Sequence, residues 1–229
     1  MPFFNGAFMS TEVLESFTIT NGNGKLNKNK DKIAAFGLLA GTTCPGACKC
    51  LGTPIKQENG KIKVEHGSEM EFPCFAAKLA ALRPNVFKVQ EKNQKLIEKL
   101  KPNELVDHFV RSFYSKAHWD TKYMRWFWSG DCYSIKLRNA VFQVAREVKH
   151  VIHYSYTKNL PIFIDQTLPK NYRLTASHGG KFDSLIHKFK RTAKVFATEE
   201  LALASGLPID NDETFATSPI DRHFALIQH

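Results

Sequence analysis

An α/β fold on a parallel sheet is what this chain predicts, in the form of a small or incomplete (β/α) barrel with an N-terminal hairpin and a cysteine-rich loop insertion. Three observations predict it. From Tyr123 onwards short apolar or aromatic runs alternate with amphipathic segments, the pattern of strands joined by crossover helices. Each early run closes on a polar segment, Ser129-Gly130-Asp131, Thr157-Lys158-Asn159 and Ser177-His178-Gly179-Gly180, as strand ends that carry a site do. A chain of 229 residues, 43% hydrophobic, has the length and apolar content of one domain, residues 1–229.

The elements follow in order. Val13–Thr20 alternates apolar and polar, Asn21-Gly22-Asn23-Gly24 is a turn, and Ile33–Leu39 is a second apolar strand, so the chain opens with a hairpin. The cysteine-rich insertion spans residues 44–74, and within it residues 51–73 are polar and read as irregular. A helical excursion over residues 75–117 contains Phe75–Leu82, Val86–Leu100 after the break at Pro84, and Glu104–Lys116. Strand Tyr123–Trp128, helix Ile135–Val148, strand Val151–Tyr156 and strand Tyr172–Ala176 come next. Helix Phe182–Phe189, strand Lys194–Ala197, helix Glu199–Ala204 and strand Phe224–Ile227 complete the series.

Five cysteines occur, and Cys44, Cys48, Cys50 and Cys74 fall close together while Cys132 stands apart. An odd count argues against a disulfide framework. Thiolates repel one another at close range unless a cation neutralises them, so Cys44-Pro45-Gly46-Ala47-Cys48-Lys49-Cys50 with Cys74 reads as a metal site, either an iron–sulfur cluster or zinc. The role of Cys74 divides two outcomes. Four thiolates close a centre and make it structural or electron-transferring, whereas three leave one position open.

At the strand ends, Cys44, Asp131, Lys158, Ser177 and His178 are expected to gather on one face. Asp131 has the chemistry of a general base or of an acceptor for a cofactor amine, with a helix cap as the plainer role. Lys158 suits a phosphate or carboxylate, and Ser177-His178-Gly179-Gly180 offers a hydroxyl, an imidazole and free amides. No acidic partner for His178 is visible, which excludes a serine-hydrolase triad as the first reading. His118, His150, His153 and His187 lack metal-ligand spacing.

Lys and Arg number 32 against 22 Asp and Glu, an excess of ten that favours polyanionic partners. Lys88, Lys92, Lys95 and Lys99 share one helix face, and Lys188, Lys190 and Arg191 form a second cluster, while Trp119, Trp126 and Trp128 offer stacking surfaces. No phosphate-binding Gly-Lys loop, dinucleotide fingerprint or zinc-finger spacing is present. Runs such as Ile33–Ala40 are too short to span a bilayer and Met1–Phe8 lacks signal-peptide features, so an intracellular protein with no membrane partner is expected.

Thr43-Cys44-Pro45-Gly46-Ala47, Cys74-Phe75-Ala76, Arg125-Trp126 with Ser129-Gly130-Asp131, Tyr156-Thr157-Lys158-Asn159, Leu168-Pro169 with Asn171 and Ser177, and a closing strand ending in His229 resemble the phage-encoded gene product 88 domain family over residues 33–229. The resemblance implies a bacteriophage product in the host cytoplasm and no settled activity. Members often carry further cysteines nearer the C-terminus, and this chain has none after Cys132.

The order of motifs is also similar to that of radical S-adenosylmethionine enzymes. These place three cysteines after the first barrel strand and a Gly-Gly-Glu-like segment after the second, where Ser129, Gly130 and Asp131 stand here as cofactor-binding candidates. Their usual spacing is not met, because only Lys49 separates Cys48 from Cys50. Two functions follow as expectations. One is an iron–sulfur enzyme that uses S-adenosylmethionine on nucleic acid or a nucleotide-derived substrate. The other is a non-catalytic module that binds nucleic acid or a host protein and is stapled by zinc.

Overall fold

The computed structural model describes residues 15–22 and 32–228. Its framework is a seven-stranded sheet of β1 (Thr20–Asn21), β2 (Lys32–Phe36), β5 (Thr121–Trp126), β6 (Ile152–Thr157), β7 (Tyr172–Ser177), β8 (Thr192–Phe196) and β9 (His223–Ile227), in that spatial order. Only the β1–β2 pair is antiparallel. Every parallel strand therefore lies beside the next sheet strand in the sequence, the winding of an α/β barrel. Among the described residues the sheet is open, with β1 and β9 at its edges, and shows no closed barrel.

The strands are short because each is a brief apolar run between turn residues. Both faces are covered: in β2, Ile33, Ala34, Ala35 and Phe36 are all buried, as expected for parallel strands with no solvent face. The helices α2 (Pro84–Lys99), α3 (Pro102–Lys116) and α4 (Ile135–Glu147) bury faces at helical spacing, such as Leu105, Phe109, Ser112 and Phe113 of α3. Pro84 and Pro102 sit in the first turns, where a missing N–H costs nothing. Ser134 caps α4 by accepting the N–H of Leu137 at 3.2 Å.

One face of the sheet packs on these helices. Phe17 and Phe109 stack at 4.1 Å, and Phe36 and Trp126 meet Phe109 edge-on at 5.1 Å. Burial of such rings contributes about 2 kcal/mol or more each, with a further increment from edge-on geometry. The opposite face gathers Ile33, Tyr154, Ala193 and Phe224 beneath Phe215 and Ala216, which belong to the short helix α6 (Thr214–Thr217).

Several expectations are corrected. Residues 51–73 are not irregular: β3 (Gly52–Lys56) and β4 (Ile62–His66) form an antiparallel hairpin, whose alternation is masked by Pro54 and by charged residues on its exposed side. The N-terminal hairpin is shorter than expected. Phe17 and Ile19 lie in the core without strand pairing, and Val13, Leu14 and Asn23-Gly24 fall outside the described residues, as does His229. Phe182–Phe189 forms a 3-10 turn over Asp183–Lys188 instead of an α-helix. Helices α1 (Phe75–Leu82) and α5 (Glu199–Ala204) stand as expected.

Candidate functional site

Parallel strands put their carboxyl ends on one edge of the sheet, and the chain from Gly37 to Cys50 crosses that edge. Successive ties hold it there. Leu38 N–H donates to the Ser129 carbonyl and Ser129 Oγ donates to the Leu38 carbonyl, both at 2.8 Å, and Asp131 N–H donates to the Thr43 carbonyl at 3.1 Å. Further along, Lys181 N–H donates to the Gly46 carbonyl at 2.9 Å and Lys49 N–H to the Gly179 carbonyl at 3.1 Å. The loop thus docks on the ends of β5, β6 and β7 in turn.

Two glycines make the docking sterically possible. A Cβ on Gly46 would stand 2.1 Å from the Lys158 carbonyl oxygen. Gly130 has φ +74°, and a Cβ there would stand 2.3 Å from Thr43 Oγ1. Ser129 and Gly130 join two loops, and the Ser129 hydroxyl donates within the fold.

Asp131 is buried under the loop. Its carboxylate accepts the N–H groups of Cys132 at 2.6 Å, Lys158 at 2.8 Å and Asn159 at 3.3 Å. Burial pushes its pKa up to about 6, against the opposing effect of these hydrogen bonds and of Thr157. It joins β5 to β6 and is enclosed in doing so. Lys158 continues the chain of contacts, its Nζ donating to Ser177 Oγ at 2.6 Å and to the His178 carbonyl. The expected meeting of Asp131, Lys158, Ser177 and His178 with the cysteine loop is what the fold produces. His178 also has an acidic neighbour that the sequence did not reveal. Asp183 accepts the N–H groups of Gly179 and Gly180 and opposes the burial that lowers the His178 pKa.

The hairpin β3–β4 brings the fourth cysteine back. Glu71 and Phe72 donate to the Lys49 carbonyl, Gly67 donates to the Leu51 carbonyl, and the Cys74 Cβ lies 3.1 Å from the position of a Cβ on Gly52. Cys74 then caps α1, its Sγ accepting the Ala77 N–H at 3.4 Å. Cys44, Cys50, Cys74 and Asp131 consequently interact. Burial raises the Cys44 pKa most, and Asp131, Cys74 and Cys50 raise it further. Cys50 is raised by burial and by Cys74 and Asp131, and lowered by Lys158. Cys48 points elsewhere, donating to Glu69 at 3.1 Å, which raises its pKa. Cys132 is buried behind Asp131.

Among the described residues, no group of three or more His, Cys, Asp or Glu side chains stands as a ready ligand set for a metal ion. The closed set of Cys44, Cys48, Cys50 and Cys74 does not fit, because Cys48 faces Glu69. The remaining three thiols, of Cys44, Cys50 and Cys74, lie at one end of the sheet. Cys44 and Cys50 are soft donors whose ionisation is opposed by burial.

The two basic clusters fare differently. Lys88, Lys92, Lys95 and Lys99 line one shallow groove of about 340 Å³ on α2 together with Glu15 and Glu91. Lys188 and Lys190 are exposed. Arg191 is 2% exposed, and its guanidinium holds the carbonyls of Ala216, Ser218 and Ile220, so it cannot serve as a surface contact for nucleic acid. Trp126 is likewise core, while Trp119 is exposed. The sequence also showed no sign of a half-buried ion pair on the second face of the sheet, where Glu213 holds Arg125 at 2.7 Å and accepts the Tyr156 hydroxyl at 3.2 Å.

Fold and site together define a mixed α/β protein with a mostly parallel, consecutively wound sheet and a thiol-bearing loop across its carboxyl edge. A family model described as Gene product 88 matches residues 16–229. The chain belongs to the gene product 88 family, a family of phage gene products. No curated protein and no solved structure matches it. No helix among the described residues is long and apolar enough to cross a membrane.

Proposed function

We propose that this phage protein is a metalloprotein whose reactive end is the cysteine loop over the strand ends, with Cys44, Cys50 and Cys74 as the donors. The observation that carries the reading is the division of the cysteines: the hairpin returns Cys74 to Cys44 and Cys50, while Cys48 turns out to Glu69. An iron–sulfur cluster held by three protein thiolates keeps one position free for a further ligand such as S-adenosylmethionine. Within this reading Lys158, fixed by Ser177 and His178, places a cation beside Cys50, suited to an anionic group of a bound ligand. Asp131 positions the loop by gathering backbone amides. The substrate class is nucleic acid or a nucleotide-derived molecule.

The test is iron, sulfide and zinc content with a visible absorption spectrum, on protein purified without oxygen. Wild type and Cys48→Ala are expected to carry iron and sulfide with visible absorption, while Cys44→Ala, Cys50→Ala and Cys74→Ala lose both. Circular dichroism establishes that each variant is folded. Absence of metal from the wild type, or equal loss in Cys48→Ala, overturns the assignment; stoichiometric zinc replaces the iron–sulfur centre with a zinc staple.

The groove on α2 favours a second reading, a module that binds nucleic acid through Lys88, Lys92, Lys95 and Lys99. Contacts from these four lysines to phosphates would make affinity fall about a hundredfold between about 50 and 200 mM salt. Affinity independent of salt, or unchanged in Lys88→Ala/Lys92→Ala, removes that reading.

A further inference from the structure

At the opposite edge of the sheet, where β7 and β8 begin, lies a cleft of about 640 Å³, within the size range of small-molecule sites. Its walls are the segment Phe163–Lys170, the segment Lys188–Arg191, and Pro219 with Asp221. Five cations line it, Lys170, Arg173, Lys188, Lys190 and Arg191, against the carboxylates of Asp165 and Asp221. The excess is positive even after the 3.2 Å ion pair between Arg191 and Asp221.

Two of these cations are built into the fold with a donor left over. Arg191 is 2% exposed and bonded through its terminal nitrogens, yet its Nε has no partner. The Nη1 of Arg173 donates to the Lys170 and Tyr172 carbonyls, and its Nε also has no partner. Burial lowers the Arg191 pKa against the opposing effect of Asp221, and the positive charge of Arg173 adds a smaller lowering. An anion in the cleft would offset the repulsion between these two cations. Beside the cations the cleft is apolar: Leu168 and Phe189 are half-buried, with Phe163 behind them. Cations next to an aromatic face match a phosphate joined to a base.

We propose that this cleft binds a nucleotide, with its phosphate held by the exposed lysines 170, 188 and 190 in the positive field of Arg173 and Arg191, and its base against Phe189 and Leu168. The inference stands apart from the thiol centre, which occupies the other edge, and from the α2 groove. The nucleotide is either free or one unit of a single strand, and the chemistry of recognition is the same.

Calorimetric titration of the full chain with adenosine triphosphate, inorganic pyrophosphate and an oligothymidylate of roughly ten nucleotides tests it. Saturable binding is expected for a nucleotide-bearing probe: by the triphosphate where the ligand is free, by the oligonucleotide alone where it is a strand. The exposed-site double variant Lys188→Ala/Lys190→Ala should weaken that binding about tenfold or more while its thermal unfolding stays unchanged. Lys88→Ala/Lys92→Ala on α2 should leave it intact. No binding of any probe, pyrophosphate binding as tightly as the triphosphate, or equal losses from the two double variants overturns the assignment.

Discussion

His153 sits at the centre of the protein with both ring nitrogens engaged: Nδ1 accepts the Trp126 indole N–H at 3.0 Å, and Nε2 faces the Val148 carbonyl at 3.2 Å. That pattern requires the neutral ring, and burial lowers its pKa to about 4. The unfolded chain therefore binds a proton that the folded chain refuses, and stability falls as pH drops from about 6.5 to 4, by about 3 kcal/mol at most. Asp131, raised to about 6, acts with the opposite sign, favouring the fold at low pH and losing that contribution as pH rises through about 6. The two oppose each other between pH 4 and 6. Urea unfolding of His153→Gln across this range should expose the Asp131 slope, with stability declining as pH rises; a profile parallel to wild type would contradict the assignment. Gly46→Ala and Gly130→Ala should each cost roughly 2 kcal/mol or more, since both place a methyl group on atoms that cannot easily retreat. Midpoints of denaturant unfolding check this.

Among the elements, the strands of the sheet and the long helices were legible because periodicity and length separate them: α2, α3 and α4 each run three turns or more on one apolar face. The hairpin β3–β4 was not, although Asn59-Gly60 marked its turn. Its strands are short and rich in charge, and what stabilises them is α1, against which both strands pack. Asp183–Lys188 misled for the opposite reason, since its apolar pair Leu185-Ile186 fits a helical pattern but is too short to propagate one. The meeting of Asp131, Lys158, Ser177 and His178 could be read from strand ends, whereas the turning away of Cys48 could not, because it depends on Glu69 from the far side of the hairpin. The tip of that hairpin is exposed. Replacing residues 57–61 with Asn-Gly should leave the melting temperature within a few degrees, since the ties from Glu71, Phe72 and Gly67 to the loop remain. Phe109→Ala, by contrast, removes a ring that touches Phe17, Phe36 and Trp126 and should cost about 3–5 kcal/mol in denaturant unfolding.

Across the whole molecule the open sheet leaves β9 as an edge, and β9 carries Phe224 into the second core. A chain ended at Asp221 should lose that core and aggregate on size-exclusion chromatography, because β8 would then present an uncovered edge. Consecutive winding has a temporal side as well. Strands from β5 onwards can each dock on a neighbour already synthesised, so the sheet can lengthen as the chain leaves the ribosome. The cysteine loop is different: the amides and carbonyls that fasten it belong to residues as late as Gly179–Lys181, so Cys44, Cys48 and Cys50 emerge more than a hundred residues before their roof is complete. During that interval the thiols of Cys44, Cys48 and Cys50 lack the late ties to Gly179 and Lys181 that fasten the finished loop.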